Sequence, residues 1–84
     1  MPYPPRGQEE ILQSKQSTAL LLSALELVPL PRRAVVIMHE LDDVPVSVIA
    51  TTLAITRFGV HARLRKGRME LARAVRQLQN GKHR

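Results

Sequence analysis

One stretch constrains the fold of this chain more than any other: Thr56 to Leu78, TRFGVHARLRKGRMELARAVRQL. Val60, Leu64, Leu71, Val75 and Leu78 recur in it at steps of four, seven, four and three, the repeat of a helix with one buried stripe. Away from the stripe stand Arg57, Arg63, Arg65, Lys66, Arg68, Arg73 and Arg76 against a single acid, Glu70. A run of about 22 residues at about 1.5 Å rise makes a rod a little over 30 Å long. Thr56 is placed to cap it, because its hydroxyl can accept a hydrogen bond from a free N–H of the first turn. Gly67 falls on the stripe between Leu64 and Leu71, where a missing side chain allows another helix close, although it costs about 1 kcal/mol of helix propensity. Such a helix needs a core behind its apolar face and leaves a cationic face open.

The rest of the chain divides into shorter helices. Met1–Gly7 has three prolines and a glycine and reads as an extended lead-in, before a domain over residues 8–80 and a basic tail over 81–84. A first helix is predicted from about Gln8 to Val28, with Leu20, Leu21, Ala24, Leu25 and Val28 inward. Pro29 and Pro31 end it, since neither ring fits a helix interior, and Pro31 suits the first turn of the next. That second helix is predicted from Pro31 to Leu41, with Ala34, Val35, Met38 and Leu41 inward and Arg32, Arg33, His39 and Glu40 mostly outward. Asp42-Asp43 and Val44-Pro45 break it, and Pro45 opens a third helix with Val46, Ile49, Ala50 and Leu53 inward. Ala54-Ile55-Thr56 connects to the long basic helix, which Asn80-Gly81 should stop. The fold class is all-α, four helices without strands, arranged as a helix-turn-helix whose long C-terminal helix does the recognition.

Composition narrows the function. Aromatic residues make up 2% of the chain, Tyr3 and Phe58, so aliphatic side chains fill the interior, which argues against an aromatic platform for single-stranded nucleic acid. The charge is polarised: residues 1–55 hold four Lys/Arg and six Asp/Glu, whereas residues 56–84 hold nine Lys/Arg and one Glu. That distribution suits a protein that turns one end to phosphates. There is no cysteine, which excludes disulfides, thiolate metal sites and cysteine nucleophiles. No secretory signal or membrane-length apolar run is present, and the expected location is cytoplasmic, on the nucleoid.

A short helix, a three-residue turn and a long basic helix match a helix-turn-helix, in which the first turns of the second helix enter the major groove. The outward face of those turns is Arg57, Phe58, His61, Ala62 and Arg65. The stretch LVPLPRRAVVIMHELDDVPVSVIATTLAITRFGVHARLRKGRMELARAV resembles region 4 of bacterial sigma factors, particularly the extracytoplasmic-function group. Val28-Pro29 stands at the family's Leu-Pro, Arg33 at its Arg and Ile49-Ala50 at its Ile-Ala, while Val60, Arg63, Leu64 and Arg68 match their counterparts. The chain departs from the pattern at Val48, Pro45, Ala54, Phe58-Gly59, His61-Ala62 and Gly67, where the family has Glu, Ser, Gly, Gly-Thr, Lys-Ser and Ala.

The resemblance implies binding to a promoter minus-35 element in double-stranded DNA through the last helix, and to the flap of the RNA polymerase β subunit through the earlier ones. It makes His61, Ala62 and Arg65 candidates for base edges and Arg63, Lys66 and Arg68 for phosphates, with Arg57 and Phe58 beside them. Phe58 is expected to pack under the turn rather than meet a thymine methyl, and Arg68 has a second role open, as a brace on an acid of the same domain. No cofactor is implied.

His39-Glu40 begins like a metalloprotease motif, but position 43 is Asp, and His39, His61 and His83 have no ligand spacing. No nucleophile triad or phosphate loop is present, so the chain is not expected to be an enzyme. Two further readings stand beside the promoter reader. One is a sigma-like interaction module that binds polymerase, a sigma factor or another regulator without specific DNA reading; an anti-sigma factor is a candidate partner in either case. The other is an autonomous LuxR-like regulator. Whether the chain stands alone or belongs to a longer sigma factor is open at this level.

Overall fold

In the computed structural model the described residues are 8–81, with side chains from 15 onward. The lead-in over residues 1–7 and tail residues 82–84 lie outside them. Four helices follow one another: α1, Gln8–Glu26; α2, Leu30–Val36, continued by a π-helical turn, Ile37–Leu41; α3, Val46–Leu53; and α4, Arg57–Gly81. No strand occurs among the described residues. The four-helix, all-α expectation is met.

Each boundary has a local cause. α1 tightens at its end, where the N–H groups of Leu27 and Val28 reach the carbonyls of Ala24 and Leu25 at 3.0 and 3.1 Å. Pro29, extended at φ −54° and ψ 141°, opens α2 by offering its carbonyl to Arg32 and Arg33. Pro31 sits in the first turn, where an N–H is not missed. Ala54 closes α3 in the left-handed conformation, φ 55°. The N–H groups of Ile55 and Ala54 then bond back to Ala50 and Thr51 in a Schellman arrangement, a geometry that usually selects glycine. Thr56 caps α4 as its chemistry predicts: its Oγ1 accepts the Gly59 N–H at 2.9 Å. At the other end the described part of α4 runs through Gly81, the second residue of the Asn80-Gly81 pair expected to stop it, and residues 82–84 lie outside the described ones.

The second helix departs from the expected phase. Asp42 N–H bonds to the Ile37 carbonyl at 3.1 Å, five residues back, so the last turn is wider than α. The extra residue rotates everything after Val36. Val35 and Val36 are buried, Ala34 and Met38 half-buried, and Leu41, expected inside, is 49% exposed. Glu40, expected to face away, is carried toward α4, as the ion pair described below shows. Asp43 takes a positive φ of 55°, which Asp tolerates better than most residues, and turns the chain into Pro45.

The core is aliphatic: Leu25 of α1, Val35 and Val36 of α2, Ile49 and Ala50 of α3, and Val60 and Leu64 of α4 form one cluster. Ala24, Val28 and Ala74 are buried too. α4 packs on all three other helices. Its seam repeats at four and three residues, Val60, Leu64, Gly67, Leu71, Ala74 and Leu78, with a glycine at 67 where α2 comes close. The Cα trace extends over 45 × 41 × 14 Å. So thin a plate leaves Leu71, Val75 and Leu78 half-buried, although their spacing puts them on the stripe.

Candidate nucleic-acid interface

The leading turns of α4 seat one side in the core and leave the other exposed. Val60 and Leu64 are buried at 0 and 2% exposure, which fixes the rotation of the helix and turns its other side outward. Arg57, His61, Arg65 and Lys66 are exposed on it, while Ala62 and Arg63 are half-buried. Phe58 is 81% exposed rather than packed under the turn. It precedes Val60 by two residues, about 200° around the helix, and so points away from the core. Ile55 packs against the core from the turn, where Phe58 was expected.

The surroundings leave this face cationic. Among the described residues, no hydrogen bond or ion pair engages the side chains of Arg57, His61, Arg63 or Arg65. Arg68, by contrast, is tied through Nε to Glu40 of the π turn, so it fills the bracing role while 53% of its side chain stays exposed. The lone acid of α4 is also engaged. Arg32 grips Glu70 with two donors, Nε to Oε1 and Nη2 to Oε2, the latter at 2.8 Å. These bonds hold the Glu70 carboxyl below the usual carboxylate range, with the charges of Arg32, Lys66 and Arg73 adding and partial burial opposing.

The sequence reading missed these partners. Arg32 and Arg33, placed mostly outward, are both committed. Arg33 donates from Nε to the Val28 carbonyl and from Nη2 to that of Glu26, each at 3.1 Å, and so satisfies the free carbonyls at the end of α1. His39 donates from Nδ1 to the Val44 carbonyl at 3.1 Å, which fixes the proton on that nitrogen because a carbonyl only accepts. Arg32 and Glu70 are 38 residues apart, and Glu40 and Arg68 are 28 apart, so no local spacing signals either pair.

Against protein-family models, curated proteins and solved structures, the chain finds no match.

A second surface lies beside the first. Leu21 and Leu25 of α1, Leu41 of the π turn, and Leu71 and Val75 of α4 line an apolar groove of about 440 Å³. Its charged lining residues are Glu40 and Arg68. No group of three His, Cys, Asp or Glu side chains able to hold a metal occurs among the described residues, and no described helix is long and apolar enough to cross a membrane.

Proposed function

We propose that this chain is a DNA-binding module of the sigma region 4 kind, in which α3, the turn at Ala54–Thr56 and α4 act as a helix-turn-helix. The observation that carries the proposal is the leading face of α4, where Arg57, His61 and Arg65 are exposed and without side-chain partners among the described residues. A B-DNA major groove accepts one such helix, and its reading residues must cluster on one outward face of the first turns. Arg65 then takes a guanine edge, His61, Ala62 and Phe58 contact neighbouring bases, and Arg57, Arg63, Lys66 and Arg68 lie along the phosphates. In this reading the duplex is a promoter minus-35-type element, the partner is RNA polymerase through its β-subunit flap, and the setting is the start of transcription.

The apolar groove favours a second reading, an interaction module that binds polymerase, a sigma factor or another regulator without specific DNA contact. Its walls come from α1, the π turn and the second half of α4, away from the leading turns. One experiment separates the two. Titration with duplex DNA over a range of salt should give an affinity that falls steeply as salt rises, each phosphate contact adding about 0.9 to the slope of log K against log salt. A flat, weak response overturns the DNA-binding reading and leaves the groove as the functional surface.

A further inference from the structure

Arg68 belongs to two surfaces. It follows Arg65 by three residues, one turn along the same side of α4, and it also walls the apolar groove where Glu40 holds it. We propose that Glu40 is a built-in competitor of DNA, a carboxylate that occupies Arg68 and must give it up, or share it, when a phosphate arrives. The inference rests on the DNA-binding reading above and names a regulation of that site.

The two side-chain ion pairs seen among the described residues differ in a way that supports it. Arg32 and Glu70 meet through two hydrogen bonds, with side chains 24 and 25% exposed, and form a two-pronged clasp between α2 and α4. Glu40 and Arg68 meet through one, with 40 and 53% exposed, so water and solutes reach the pair. An exposed pair of this kind biases its partner by about fivefold at most. A duplex phosphate offers Arg68 a charge-assisted bond together with the release of condensed counterions. If the free terminal nitrogens of Arg68 bridge to the phosphate while Nε keeps Glu40, the two anions still repel each other across the guanidinium. Either way the carboxylate opposes binding. It is the π turn, by rotating residues after Val36, that brings Glu40 there.

The test is fluorescence anisotropy with labelled duplex DNA of mixed sequence, over a range of salt, on the wild type, Glu40→Gln, Arg68→Gln and the double variant. Glu26→Gln removes an exposed carboxylate from α1 and controls for net charge. Circular dichroism confirms that each variant keeps its helices. Glu40→Gln should bind about two- to fivefold more tightly at low salt, with the salt slope increased by up to about one. The gain should vanish in the Arg68→Gln background and be absent in Glu26→Gln. Unchanged or weaker binding by Glu40→Gln, or an equal gain without Arg68, overturns the competitor. Wild-type protein that shows no salt-dependent binding overturns the DNA-binding reading itself, and the competitor with it.

Discussion

The side chain of Val36 lies directly on the backbone of Gly67: a β-carbon placed at Gly67 would stand 2.7 Å from Val36 Cγ2 and 3.4 Å from the Arg32 carbonyl oxygen. At this point α2 crosses α4 in near backbone contact. The crossing is flanked by the Arg32–Glu70 pair on one side and Arg68–Glu40 on the other. A missing methyl thus sets how closely the two helices approach.

Gly67→Ala should destabilise the fold by about 1–3 kcal/mol, because overpacking outweighs the gain of about 1 kcal/mol in helix propensity. Val36 is stiff at χ1 and 2% exposed, so it has nowhere to turn. Adding Val36→Ala should recover part of the loss. Urea denaturation of the two single variants and the double checks this, and an unaltered midpoint for Gly67→Ala would show that α2 steps back freely.

Ala54 holds a left-handed conformation at φ 55°, ψ 45°. An alanine there costs about 1–2 kcal/mol in backbone sterics, whereas glycine adopts it without strain but loses more entropy on folding. Ala54→Gly should therefore raise stability by about 0.5–1 kcal/mol, read as a higher thermal midpoint. A lower midpoint would mean that the methyl of Ala54 contributes packing of greater worth than the strain.

Removing the cap should act in the opposite direction. Thr56→Ala leaves the Gly59 N–H without its side-chain acceptor and should cost about 1 kcal/mol, while Thr56→Ser should cost much less. Thermal melting of the pair distinguishes loss of the hydroxyl from loss of the methyl.

Acid should weaken the clasp at Glu70. Its folded pKa lies below the unfolded value, so its contribution is complete above the ordinary carboxylate pKa of about 4.3 and disappears as pH falls through the lower folded value. The wild type should melt above Glu70→Gln at pH 7, and the two curves should converge as pH drops below about 4. A gap that stays constant with pH would mean that the Glu70 charge does not stabilise the fold.

On the DNA side, Arg65→Ala should remove about 1–3 kcal/mol of discrimination at one base position, and His61→Ala should also relax preference. Lys66→Ala should instead weaken all duplexes alike and lower the salt slope by about one. Selection from a randomised duplex pool, followed by salt titration, reads both. Identical profiles for Arg65→Ala and Lys66→Ala would argue against base reading by this helix.

Much of this was legible in the chain because it depends on neighbours in sequence. The 3.6-residue period of Val60, Leu64 and Leu71 placed α4 and its inward face, the Thr56 hydroxyl foretold the cap, and Pro29, Pro31 and Pro45 marked the breaks. Gly67 on the apolar stripe foretold a close approach, which Val36 supplies. Phe58 was misjudged although its phase was visible: a large apolar side chain was assigned to packing when its position, two residues before Val60, turned it to solvent.

The tertiary structure decided the rest. The wide turn after Val36 puts Leu41 outside and brings Glu40 to Arg68, and the crossing at Gly67 brings Arg32 to Glu70. The groove between α1, the π turn and α4 arises from the same packing. Periodicity and capping are properties of a few consecutive residues, so the sequence alone determined the four helices and, outside the wide turn after Val36, their inward faces. Which charges meet across 28 and 38 residues depends on the distance and angle at which whole helices cross, and those follow from side-chain volumes packed together only in the folded chain.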